Sequence, residues 1–229
     1  MRYIRLALAI ILVPLVIALG WNFFDLLVSL SQKVSENIIP FWAGLGSYFL
    51  FQAVFFRPIR TYIFGHELTH AIVGILSGAR LKGFKVSSSG GSVVLTKTNI
   101  LIALAPYFIP IYTFLILLFY WAGSRFLDAE GYYPYFLFAV GFSLSFHLSL
   151  TWYALSQGQS DLKAFGVFFS AVLVLIINCV VLSALFRILF PGQINLAQYF
   201  SLSFKRTALI WGLVFAQSEK LWDLLTSKN

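Results

Sequence analysis

Apolar runs set the organisation of the chain. The first extends from Ile4 to about Gly20 and carries on through Trp21, Phe23, Phe24, Leu26 and Leu27. Phe41 to Phe56 forms a second, closed by Arg57-Pro58-Ile59-Arg60. Thr61 to Ser77 is apolar apart from a polar insertion, His66-Glu67-Leu68-Thr69-His70. Ile100 to Trp121 and Tyr132 to Leu155 are each close to the ~20 residues a bilayer core needs, and Leu162 to Phe190 is longer. The pattern predicts an all-α polytopic membrane protein with about six transmembrane segments.

One segment breaks the helical pattern. Residues Arg80 to Lys97 read RLKGFKVSSSGGSVVLTK, two short runs of strand character around Ser-Ser-Gly-Gly. A small membrane-associated β-hairpin is expected over 80–97, with Gly90-Gly91 supplying the positive φ angles of its turn. The chain then divides into N-terminal transmembrane segments (1–60), a core holding the polar helix, the hairpin and a helix begun by Asp161 (61–190), and a tail (191–229). That tail mixes Leu196, Phe200, Leu202, Leu209, Trp211 and Phe215 with Lys205, Arg206 and Glu219. It reads as an interfacial amphipathic helix or a further weak span.

Composition sharpens this picture. Hydrophobic residues make up 60 % and charged ones 10 %, against about 25 % charge in soluble domains. With mean hydropathy at +0.87, a water-soluble globule is excluded. The basic excess of +8 flanks apolar segments at Arg2 and Arg5, at Arg57 and Arg60, and from Arg80 to Lys85. It therefore reads as a topology signal facing a lipid bilayer, not as a nucleic-acid surface. The basic start followed by an apolar run resembles a signal peptide, but no small-x-small cleavage site is evident, so a retained first transmembrane helix is expected. The single Cys179 excludes an intrachain disulfide.

The chemistry concentrates in His66-Glu67-x-x-His70. Residues i and i+4 share a helix face, so both imidazoles can reach one metal ion. Glu67 stands beside that face, placed to take a proton from metal-bound water. With three His in the whole chain, the motif would arise by chance about once in a thousand such sequences. Ionisable groups in so apolar a helix are costly and usually functional.

Zinc held by two histidines needs a third protein ligand and an open position. Asp161, in Gln159-Ser160-Asp161-Leu162, is favoured over His147, which lies in Phe146-His147-Leu148. Asp161 could instead act as a first-turn helix residue, and His147 as a group supporting a ligand or contacting substrate. Asn178 is a polar residue in an apolar run, with interhelical hydrogen bonding as its default role. Asp25 reads as interfacial. Positive-inside reasoning puts the hairpin and the histidines toward the cytosol, and two further spans return the chain to that side at Asp161. Pro106 and Pro110 should bend the span that contains them, which could open a water path.

On His66-Glu67-Leu68-Thr69-His70, the following Gly78 and hairpin, and Asp161 two spans later, the chain resembles the site-2 protease family of intramembrane zinc metalloproteases. The likeness covers roughly Thr61 to Asn178. Better-known members carry the aspartate in a stretch ending Leu-Asp-Gly, where this chain has Gln-Ser-Asp-Leu-Lys; it is similar to a divergent branch. The resemblance implies a three-helix core, with His66, His70 and Asp161 as zinc ligands and Glu67 as general base. It implies a zinc metalloendopeptidase acting on a transmembrane protein or peptide through zinc-activated water. No PDZ-like or CBS-like module is expected. The unwound substrate would add to a hairpin strand at Lys82, Gly83, Phe84, Lys85 and Val86, or at Ser92 to Thr96. The competing reading is a transporter or channel using the His/Glu/Asp cluster for metal or proton passage. Such a passage would need polar residues spread along several spans, and here they cluster at one depth.

Overall fold

The computed structural model describes residues 2–32, 38–55, 57–87 and 90–226. Nine α-helices and one two-stranded antiparallel sheet lie within them: α1 (Arg2–Gln32), α2 (Ile39–Phe55), α3 (Ile59–Leu76), β1 (Leu81–Ser87), β2 (Gly90–Leu95), α4 (Ile100–Leu104), α5 (Ile111–Gly123), α6 (Tyr133–Ser156), α7 (Ser160–Phe165), α8 (Val167–Leu189) and α9 (Leu196–Thr226). The chain is mostly helical, as the apolar runs require.

Among the described residues, three helices are long and apolar enough to cross a membrane: Arg2–Gln32, Glu130–Ser156 and Val167–Leu189. A fourth span exists if Ile100–Tyr107 and Ile111–Gly123, bent by 78° at their junction, are taken together. This makes a membrane protein, with fewer spans than the six expected. The physical reasons are local. Helix α2 has only 17 residues, and α3 carries the polar insertion. The run Leu162 to Phe190 still supplies a span, Val167–Leu189, although Gly166 adopts φ +94° and separates α7 from α8. The bend in the remaining span falls where Pro106 and Pro110 remove backbone donors.

By contacts the chain divides into two compact units at boundaries other than 60 and 190. The first comprises α1, α9 and α8 from Ala171. Within it α1 and α9 meet through polar groups: Asn22 Nδ2 donates to Ser203 Oγ at 2.8 Å, and Tyr199 O–H to Leu19 O at 3.0 Å. Asp25 pairs with Arg206 at 2.8 Å, so the acidic residue read as interfacial is bound to the tail. The tail itself is the single 31-residue helix α9.

The second unit holds everything from α2 to α7. Its packing centre is α2 against α6, where glycines let the backbones approach closely. A β-carbon on Gly44 would strike the Phe138 carbonyl, and one on Gly141 the Phe41 carbonyl. Around this contact Tyr48, Phe146 and Leu150 form a buried cluster, and Ser145 Oγ donates to Leu45 O at 2.9 Å.

The hairpin has the register Lys85↔Ser92, Val86↔Gly91 and Ser87↔Gly90, with an irregularity between Leu81 and Gly83. Gly90 and Gly91, expected in the turn, belong to β2, and residues 88–89 lie outside the described residues. The expected positive φ is present at Gly90 (+156°). Strand β2 runs along α3 in the same direction: Gly91 lies over Ile63 and Glu67, and Leu95 over Gly74. Those contacts bring the hairpin to the polar insertion.

Candidate metal centre

Helix α3 presents His66 and His70 one turn apart, with ring centroids 4.8 Å from each other. Asp161 arrives from α7. Its Oδ2 stands 3.4 Å from His66 Nε2 and 3.5 Å from His70 Nε2. One donor atom from each of the three residues falls within a 4.8 Å span, and all three side chains are half-buried. The structure thus brings Asp161 to the histidines from more than 90 residues along the chain.

The hydrogen-bond pattern shows which atoms are available. His70 Nδ1 donates to the Ile102 carbonyl at 2.8 Å; a carbonyl only accepts, so Nδ1 carries a proton and, in the neutral ring that binds a metal, Nε2 is the bare lone pair. His66 Nδ1 lies 3.3 Å from the Tyr62 hydroxyl, which can accept from it in the same way. A bare Nε2 facing a carboxylate oxygen is a pair of acceptors with no hydrogen between them. Charge-assisted N–H···O bonds run to about 2.7–2.9 Å, shorter than the spacing here. A tetrahedral zinc ion with bonds of about 2.0–2.1 Å sets its ligand atoms roughly 3.3 Å apart. Donor chemistry and spacing both fit such an ion. Burial tends to raise the Asp161 carboxyl pKa, but without a metal the hydrogen bonds and charge of the protonated imidazoles outweigh burial and hold it below the ordinary carboxylate range. The residue is kept as an anionic donor.

Glu67 is buried, next to His66 in the chain and beneath Gly91 of β2. It lines a cavity of about 980 Å³ with His66, His70 and Asp161. The far walls are β2 from Gly90 onward, Ile102 and Ala103, and Tyr153 with Gln157 at the end of α6. The three donors, the Glu67 carboxylate and strand β2 therefore share one concave space.

The remaining expected residues divide. His147 is buried on α6 with no hydrogen-bond partner for Nε2 among the described residues. It borders a second, water-sized cavity of about 20 Å³ with Gly65, Thr69 and Pro106, which His66 and Tyr62 also line. It is not in the three-donor group. Asn178 belongs to the other unit, where Nδ2 donates to Val174 O one turn back in its own helix at 2.9 Å. Lys82, Gly83, Phe84, Lys85 and Val86 form β1, which does not line the large cavity; β2 does. Phe84 packs edge-on against Phe64 instead.

Two contributors were not read from the sequence. Tyr62 precedes His66 by one helical turn, a spacing that could have flagged it. Tyr107 is completely buried, donates its phenol proton to Asp161 Oδ2 at 3.2 Å and sets its ring edge-on to His66 at 5.3 Å. Its position between Pro106 and Pro110 was the available signal, since a broken helix turns side chains off the regular face.

In comparisons with protein-family models, curated proteins and solved structures, the chain matches none. The likeness to site-2 proteases therefore rests on the residues quoted above.

Proposed function

We propose that this chain is a zinc metalloendopeptidase of the membrane, resembling the site-2 proteases, that hydrolyses peptide bonds of membrane-spanning proteins or peptides. The observation that supports this most is the meeting of His66, His70 and Asp161 beside Glu67 in one cavity. The three donors would hold the metal, with Nε2 of each histidine and a carboxylate oxygen turned toward one point. Zinc bound there would supply Lewis acidity for a peptide carbonyl and for an attacking water.

The chain's own residues do the rest. Glu67 is placed to take the proton of the attacking water and pass it to the leaving nitrogen. Its burial under β2 keeps bulk water from competing for that proton. A transmembrane helix conceals its peptide bonds, so the substrate must first unwind. The unwound stretch can then lie along β2, which walls the cavity, and add to it as a strand. By positive-inside reasoning from Arg80, Lys82, Lys85 and Lys97, the site faces the cytosol.

The deciding experiment uses the full-length chain purified in detergent and a set of model single-span peptides, with products read by mass spectrometry. Glu67→Gln should reduce cleavage by about 10²–10⁴-fold while leaving zinc content unchanged. Cleavage by that variant at the rate of the unaltered chain would overturn the assignment.

A further inference from the structure

Each candidate donor has a partner behind it: Tyr62 for His66, Ile102 O for His70, and Tyr107 for Asp161. The third differs from the others. The two histidines ride on a regular helix and cannot stray far. Asp161 sits on α7, six residues long and cut from α8 by the positive-φ Gly166. The carboxylate therefore needs a hold from outside its own element.

The imidazoles provide one only while protonated on Nε2. His70 spends its Nδ1 proton on the Ile102 carbonyl, and a histidine that turns Nε2 to a metal donates nothing to the carboxylate. The phenol of Tyr107 reaches Oδ2 at 3.2 Å as a donor that metal binding does not use up. A fully buried phenol must find an acceptor or lose the free energy of its solvation. Tyr107 is the last residue of the first arm of the 78° break between Ile100–Tyr107 and Ile111–Gly123.

We infer that Tyr107 is the positioning residue for the Asp161 ligand, its phenol holding the carboxylate when both imidazoles are turned to the metal. The inference rests on the metal centre proposed above. Outer partners of metal ligands typically contribute 10–100-fold in affinity, and Tyr107 should do the same through Asp161 alone.

The test is zinc affinity of the full-length protein, measured by competition with a chromogenic chelator, in four forms: unaltered, Tyr107→Phe, Asp161→Ala and the double variant. Tyr107→Phe keeps the ring against His66 and removes only the proton donor. It should weaken zinc binding about 10–100-fold in the unaltered background and change it little in the Asp161→Ala background. The thermal midpoint of the metal-free protein should stay in place. Unchanged affinity in Tyr107→Phe overturns the inference, as does an equal loss in both backgrounds, which would mark a merely structural role. If Asp161→Ala binds zinc as tightly as the unaltered chain, the metal-ligand reading itself falls and takes this one with it.

Discussion

Gly91 lies so close over Glu67 that a β-carbon on the glycine would stand 2.5 Å from the glutamate Cγ and 2.8 Å from Ile63 Cγ2. The hairpin is thus seated on Glu67 through bare backbone. Any side chain at this position must lift β2 from α3 or turn Glu67 aside.

Gly91→Ala should therefore lower peptide cleavage by about 10²-fold, the scale of an ångström-sized misplacement at a reacting centre, with zinc content unchanged. Gly83→Ala is the control on the same hairpin, since its β-carbon would meet Val94 at 3.6 Å, an ordinary contact. Turnover of single-span peptides by the two variants checks this. Equal activity in both would show that the seating of the hairpin does not matter.

His147→Leu should leave zinc stoichiometry at the level of the unaltered chain. His147 is buried away from the three-donor group, and its Nε2 has no described partner to lose. Elemental analysis of the purified variant beside Asp161→Ala reads the difference. Zinc lost from His147→Leu and kept by Asp161→Ala would exchange their roles.

Gly44→Ala should destabilise the fold by about 1–3 kcal/mol, the usual cost of forcing atoms into a packed interface. Its β-carbon would strike the Phe138 carbonyl, and backbone cannot yield as a side-chain tip can. Gly46→Ala, two residues on in the same helix, would have nothing within 4 Å and should be neutral or slightly stabilising, because alanine is the better helix former. Denaturant unfolding in detergent compares them. A smaller loss for Gly44→Ala than for Gly46→Ala would contradict the close α2–α6 approach.

The legible part of this molecule was the part written in side-chain chemistry. His66, Glu67 and His70 stood out because an apolar helix leaves polar residues nowhere to hide, and the hairpin's strand character showed between two spans. The bounds of the spans were harder. Gly166 breaks the run that follows Asp161, yet hydrophobicity continues across it, and a conformational break without a polar marker cannot be seen in hydropathy. Which of the two hairpin strands borders the cavity was hidden for a related reason. Alternation identifies a strand, but which edge meets a cavity depends on how the pair lies on α3. Tyr107 escaped notice because it owes its place to tertiary geometry: its partner is 54 residues away.

The carbonyl of Ile102 would, in an unbroken helix, accept the N–H of residue 106. Residue 106 is a proline and has no such hydrogen; His70 takes the vacant acceptor instead. The protonation pattern of an imidazole on one helix is thereby dictated by an imperfection in another. A second spacing rule follows, written in backbone rather than in donors: the four-residue interval from Ile102 to Pro106 belongs to the centre as much as the four from His66 to His70. A chain could keep both histidines, the glutamate and the aspartate, shift the proline by one position, and no longer offer His70 Nδ1 the carbonyl that orients its ring.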